Sequence, residues 1–180
     1  GMDDKAVQEL ITSSITNANA AVHRIAGSSD SLTGMGTTVV VAIVSDGVAH
    51  VAHAGDSRAY LISPEEIRQL TTDHSMVQEM VEKGDLTAQQ AKTHPQKNII
   101  TRALGVESSL RIDYSETQLP VGNRLLICTD GLTNYVDEEQ IFNLSKEMDG
   151  QELTEKLVSL AKNAGGSDNI TVVVLEDEAV

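Results

Sequence analysis

Tryptophan is absent from this 180-residue chain, and phenylalanine occurs once, as Phe142. Tyr60, Tyr114 and Tyr135 complete the aromatics. A surface that stacks single-stranded bases needs several aromatic faces, so that class of partner is excluded. The core must instead be built from Val, Ile, Leu, Ala and Met. Cysteine also occurs once, as Cys128. One cysteine makes neither a disulfide nor a thiolate metal cluster within a chain. Its apolar neighbours mark it as a small buried hydrophobe rather than a nucleophile. No segment reaches the roughly 18 consecutive apolar residues that suggest a membrane-spanning helix. No basic region followed by an apolar stretch marks a signal peptide. These two absences lead to the expectation of a cytoplasmic protein. Gly1 before Met2 reads as a tag-cleavage scar.

Positive charge is also scarce: Lys and Arg number 13 against 27 Asp and Glu, for a net charge of −14. Such a balance repels nucleic acid and anionic membrane. It repels a phosphorylated substrate too, unless bound cations reverse the local field. The length suits one domain over residues 1–180.

What is present is a succession of short patterned segments. Residues 3–26 space Val7, Leu10, Ile11, Ile15, Ala18, Val22 and Ile25 by three and four, which predicts an amphipathic helix. The glycine-containing loop at 28–36 matches no phosphate-binding pattern and leads into a strand rather than a helix. Residues 37–44 predict a strand, Ser45-Asp46-Gly47 a hairpin turn, and 48–54 the returning strand. His50 and His53 lie three apart in it, so they face opposite sides and are poorly placed for a shared metal. Residues 59–62 predict a third strand, after the tight connection Ala54-Gly55-Asp56-Ser57-Arg58. A local Asp56–Arg58 pair in a polar turn is one reading of that connection. Residues 65–70 add a short edge strand.

Ser75 and Thr87 then cap two short helices, so residues 71–98 form a helical excursion between strands. His74 and His94 within it do not have two acidic or Cys partners at zinc-ligand spacing beside them and are expected to make local polar contacts. Residues 98–104 and 110–119 predict further strands. Leu125–Cys128 is a short buried strand that runs into Thr129-Asp130-Gly131. Helices follow after Asp137 and over 151–164, then the loop at 165–169 and a final buried strand at 170–175. From Glu176 the chain is expected to fray. Antiparallel hairpins dominate, which gives the α+β class: two packed sheets with helices outside.

Three carboxylates share one setting. Asp56, Asp130 and Asp168 each lie at a strand end in a turn of small residues: Gly-Asp-Ser, Thr-Asp-Gly and Ser-Asp-Asn. Oxygen ligands on rigid strand ends suit hard cations, Mg²⁺ or Mn²⁺, rather than zinc. Two such ions ionise a bridging water that attacks a phosphoryl group with no protein nucleophile. Each Asp is equally at home as a plain turn residue, and spacing alone does not show that the three converge.

Six motifs occur in order: Gly-Met-Gly-Thr-Thr (34–38), Ala-Gly-Asp-Ser-Arg (54–58), Asp-His-Ser (73–75), Asn-Ile-Ile-Thr-Arg-Ala-Leu-Gly (98–105), Leu-Ile-Cys-Thr-Asp-Gly-Leu (126–132) and Ser-Asp-Asn-Ile-Thr (167–171). Over roughly residues 33–175 the chain resembles the metal-dependent PPM, or PP2C-type, protein Ser/Thr phosphatases in their bacterial form. The resemblance implies an α-β-β-α sandwich. It implies hydrolysis of phosphoserine and phosphothreonine by a metal-activated water, with Mn²⁺ or Mg²⁺, two or three ions in a complete member. By position it makes Asp130 and Asp168 the core metal ligands on which catalysis turns, and Asp56 a ligand of a third ion. Thr129 and Asn169 would orient these carboxylates. Residues 71–98 match the flap that borders the substrate groove. Phosphoprotein substrates and a cognate Ser/Thr kinase are the implied partners.

Two family segments have no counterpart in residues 1–33: one with a phosphate-binding Arg, the other an Asp-Gly-x-Gly-Gly motif whose Asp bridges two metals beside a general-acid His. The expectation is therefore a sandwich incomplete at its N-terminal side, with weak or no activity for this chain alone. A dimer or a companion N-terminal polypeptide would then cover the missing strands. A non-catalytic PP2C-like binding module is the alternative.

Overall fold

A computed structural model describes residues 3–176 of the chain. Helix α1 (Asp4–Ala26) starts where Asp3 accepts a hydrogen bond from the Ala6 amide at 2.7 Å. Val7, Ile11 and Ile15 repeat every four residues and form its buried face, while Leu10 and Ile25 flank that face and are exposed. Asn19 extends the buried row as a polar residue. Its amide holds the Gly105 N–H at 2.7 Å and the Glu107 carbonyl at 2.9 Å, so its burial leaves neither end unpaired.

Seven strands follow: β1 (Val39–Ser45), β2 (Val48–Ala54), β3 (Arg58–Ile62), β4 (Ile67–Gln69), β5 (Asp113–Gln118), β6 (Arg124–Cys128) and β7 (Val172–Glu176). They form two antiparallel sheets, ordered β1-β2-β5 and β4-β3-β6-β7. Alternation decides what each strand face meets. In β1, Val39, Val41 and Ile43 pack toward α1 with Val7, Ile11 and Ala52. Val40 and Ala42 point the other way, onto Val51, Ala59 and Leu125, into the layer between the sheets. Beyond the second sheet lie α4 (Asp130–Thr133), α5 (Glu138–Ser145) and α6 (Gly150–Asn163). Leu132, Ile141, Leu153 and Leu157 from these helices bury Tyr60, Leu126 and Cys128. The layers run α-β-β-α, as the resemblance implies.

Two short helices, α2 (Met76–Glu82) and α3 (Ala88–Lys92), fall within residues 71–98. Ser75 and Thr87 cap them as their types predict, Thr87 with a full capping box to Gln90. The strand expected at 98–104 does not form. That stretch makes only single bridges, Ser75 to Ile100 and Thr37 to Leu104, because no partner strand lies along it. Residues 110–112 likewise precede β5 without joining it. Glu176 does not fray: it ends β7, accepts from the Gly150 amide at 2.7 Å and pairs with Arg124 at 2.7 Å. The remaining tail, 177–180, lies outside the described residues, as do Gly1 and Met2.

Both sheets end in an apolar edge. Val44 on β1, and Val173 and Leu175 on β7, are 42%, 44% and 37% exposed. All three sit on the faces turned toward the inter-sheet layer, opposite the helix-covered side.

Candidate metal centre

Strand register brings the three carboxylates to one end of the second sheet. Arg58, the first residue of β3, pairs with Cys128, the last of β6. Cys128 pairs in turn with Val172, the first of β7. Asp56 precedes β3 by two residues, Asp130 follows β6 by two, and Asp168 precedes β7 by four. Antiparallel pairing therefore gathers segments 38 to 112 residues apart, a convergence no local pattern reveals.

Asp130 is the first residue of α4 rather than part of an open turn. Asn134, one helical turn on, donates to its Oδ2 at 3.2 Å, and Lys97 Nζ holds the Asn134 Oδ1 at 2.9 Å. Neither neighbour figured in the motif reading, although Asn134 stands at the i+4 spacing that would have pointed to it. Thr129 makes no side-chain cap to α4. Its hydroxyl donates to the Asn169 carbonyl at 3.2 Å and accepts from the Thr171 amide at 3.0 Å. It thus staples the Asp130 turn to the loop carrying Asp168. The Asn169 amide donates to Asp168 Oδ1 at 2.7 Å, and Tyr135 bonds Ser167 at 2.6 Å. Gly131 is required here, because a Cβ would run into the Asn169 carbonyl.

Asp56 has no ion pair with Arg58. That guanidinium turns to Asp73 in a two-pronged bond of 2.8 and 2.6 Å. Burial, and then the Asp130 carboxylate, push Asp56 up to about 6. Asp130 is also raised, first by burial and then by Asp168. Asp130 thus feels Asp168 and acts on Asp56 through partly desolvated space. Like-charged oxygens held together by backbone staples are a donor set that a divalent cation relieves, so these residues fit a hard metal ion. Cys128, just behind them, is pushed up to about 12 by burial and stays a thiol.

A second cluster, His53, His74 and Asp113, has ligand-type atoms within 4.8 Å of one another. It does not fit a metal. The His53 and His74 rings stack at 4.6 Å and 9°, so their in-plane lone pairs do not meet at a point. His53 Nε2 donates to the Thr72 carbonyl at 2.8 Å, and His74 Nδ1 accepts from the Gly55 amide at 3.1 Å. The Arg102 guanidinium stands 2.9 Å from His74 Nε2, where a cation would have to displace it. Contrary to the expectation of purely local contacts, His74 does have an acidic partner, Asp113 at 3.0 Å, 39 residues along the chain. His94 behaves as expected, accepting from the Gln96 amide at 3.2 Å. His50 faces the side opposite His53 and bonds Tyr114 at 2.7 Å.

An antiparallel sandwich with turn carboxylates gathered at one sheet end defines a class of metal-dependent phosphatase. The family described as Protein phosphatase 2C matches residues 2–83. Over 170 residues the chain is 41% identical to Protein phosphatase PhpP of Streptococcus pneumoniae, a match that covers 94% of this chain and 69% of that one. The crystal structure of Serine/threonine phosphatase Stp1 from Staphylococcus aureus superposes with a TM-score of 0.94 at 33% identity, over 99% of this chain and 71% of that one. The catalytic domain of the phosphatase PstP, solved with two manganese ions, gives a TM-score of 0.78 at 33% identity, over 87% and 65%. The chain belongs to the PP2C family of protein serine/threonine phosphatases.

Proposed function

We propose that Asp130 and Asp168, joined by Asp56, hold divalent cations, Mn²⁺ or Mg²⁺, and that phosphoserine and phosphothreonine of protein substrates are hydrolysed beside them. The observation that carries this reading is the register that brings the three carboxylates to one sheet end, together with the raised proton affinity of Asp56 and Asp130. When bound, such cations supply charge that lowers the pKa of water and stabilises charge developing on a phosphoryl group. The chain's own residues do the rest. Asn134 fixes one oxygen of Asp130, and Thr129 and the Asn169 backbone keep the Asp130 and Asp168 turns at a constant separation. Asp73 draws Arg58 away and leaves Asp56 free to bind.

Residues 71–98 act as a flap over the site, a role supported by the Lys97 contact to Asn134. The setting is the cytoplasm, opposite a Ser/Thr kinase that places the phosphates. Among the described residues no helix is long and apolar enough to cross a membrane. A dimer or a companion polypeptide covers the apolar edge at Val44, Val173 and Leu175.

The test is hydrolysis of a phosphothreonine peptide with and without Mn²⁺. A cation-dependent rate that falls by at least about a hundredfold in Asp130→Ala and Asp168→Ala supports the reading. Cation binding without any wild-type hydrolysis would overturn hydrolysis by this chain alone, the outcome shared by a sandwich lacking its N-terminal motifs and by a non-catalytic module.

A further inference from the structure

Gly55, the residue before Asp56, is held from two directions by one histidine. Its amide donates to His74 Nδ1 at 3.1 Å in a buried bond. Its carbonyl accepts from the His74 backbone amide at 3.0 Å. Gly55 has φ +116°, in the left-handed region, and a Cβ there would strike the Thr38 side chain. The turn therefore sits between Thr38 on one side and His74 on the other.

The imidazole is itself locked. A backbone N–H only donates, so Nδ1 carries no proton and Nε2 must carry it. That Nε2–H points at Asp113 Oδ2, 3.0 Å away, and the Arg102 guanidinium, which lies 2.9 Å from the same Nε2, donates to the other Asp113 oxygen at 2.8 Å. The His53 ring lies flat against the imidazole and blocks its rotation. Burial first, with the neighbouring Arg102, holds the ring below its ordinary proton affinity despite Asp113. The Thr101 amide donates to the His74 carbonyl at 2.8 Å, so the stretch after residue 98 is tied in as well.

We infer that His74 is a positioning residue for Asp56: the relay Arg102–Asp113–His74–Gly55 sets the turn that presents the carboxylate. The root of residues 71–98 and a metal-site acid then share one anchor. The inference rests on the metal reading of Asp56 and adds a residue that touches neither ion nor substrate.

Two substitutions separate positioning from packing. In His74→Asn the side-chain oxygen takes the place of Nδ1 and keeps an acceptor for Gly55. In His74→Gln the side chain reaches toward Asp113 and removes that acceptor. Exchange of the Gly55 amide by NMR and the Mg²⁺ dissociation constant by calorimetry are read on the cation-free and titrated chain. The Asn variant should keep both within about twofold, whereas the Gln variant should speed Gly55 exchange and weaken Mg²⁺ by about tenfold each. Asp113→Asn should move both values the same way by less. Equal behaviour of the Asn and Gln variants overturns the inference. If neither variant folds, an unchanged Gly55 amide in Asp113→Asn overturns it. Failure of the wild type to bind Mg²⁺ would sink the metal reading instead, and Gly55 exchange would still decide the role of His74.

Discussion

Asp56 carries the strongest electrostatic signature of the three acids. Its folded value of about 6 lies above the 3.8 of an ordinary carboxyl. The native state therefore binds this proton more tightly than the unfolded chain does. The stabilisation is full below about pH 4 and is lost as pH rises through about 6, a change of about 1 kcal/mol once partial exposure is allowed for. Asp130 acts in the same direction. Asp113 acts in the opposite sense: burial would raise it, but its bonds to His74 and Arg102 hold it low, so its share is lost only as pH falls below the usual carboxylate range. In thermal melts with EDTA, Asp56→Asn should gain clearly more stability over the wild type at pH 7 than at pH 4.5. Saturating Mg²⁺ should reverse that advantage, because only the wild type keeps the full ligand set. A gap that does not change with pH would rule this out. Gly131→Ala should cost about 1–3 kcal/mol in urea unfolding, since its Cβ meets the Asn169 carbonyl and pushes the Asp168 loop outward.

At the scale of elements, β6 organises the site. It is flanked by β3 and β7, and its last residue fixes where all three acids emerge. Leu126, fully buried on its helix-facing side, anchors it against Tyr60 and Leu132. Leu126→Ala should cost about 2–5 kcal/mol and leave a cavity behind the centre. The capping box of α5, in which Asp137 accepts from the Gln140 amide at 2.9 Å, tests a contribution distant from the metal. Asp137→Ala should cost about 1 kcal/mol and leave Mg²⁺ affinity unchanged. A loss of Mg²⁺ affinity in Asp137→Ala would mean that the centre is governed by overall stability and not by the staples.

At the scale of the molecule, the sandwich is closed on its helix-covered faces and open at one pair of edges. Val44, Val173 and Leu175 expose apolar surface where a sandwich would normally continue. Light scattering after size exclusion should show self-association at tens of micromolar, reduced in a Val173→Lys, Leu175→Lys variant that keeps the wild-type far-UV spectrum. A monodisperse wild-type monomer without a copurifying polypeptide would count against a covering partner. The charge of −14 makes association through acidic surfaces costly and so favours the apolar edge.

Local chemistry was legible from the sequence alone. Caps at Ser75, Thr87 and Asp137, the buried run into Asp130, and the opposed faces of His50 and His53 each depend on residues within a turn or a strand of one another. The fold class followed from the hairpin pattern, and the family from six ordered motifs. The 98–104 stretch misled because β-branched residues announce a strand only if a partner lies alongside, and none does. Long-range pairing alone decided that Asp56, Asp130 and Asp168 emerge at one end of the same sheet, that Arg58 belongs to Asp73, and that His74 has Asp113 as its partner. Register is a property of two segments at once. The strand end that looked like an acidic turn therefore gained its acidic neighbours only when β3 and β7 were laid against β6.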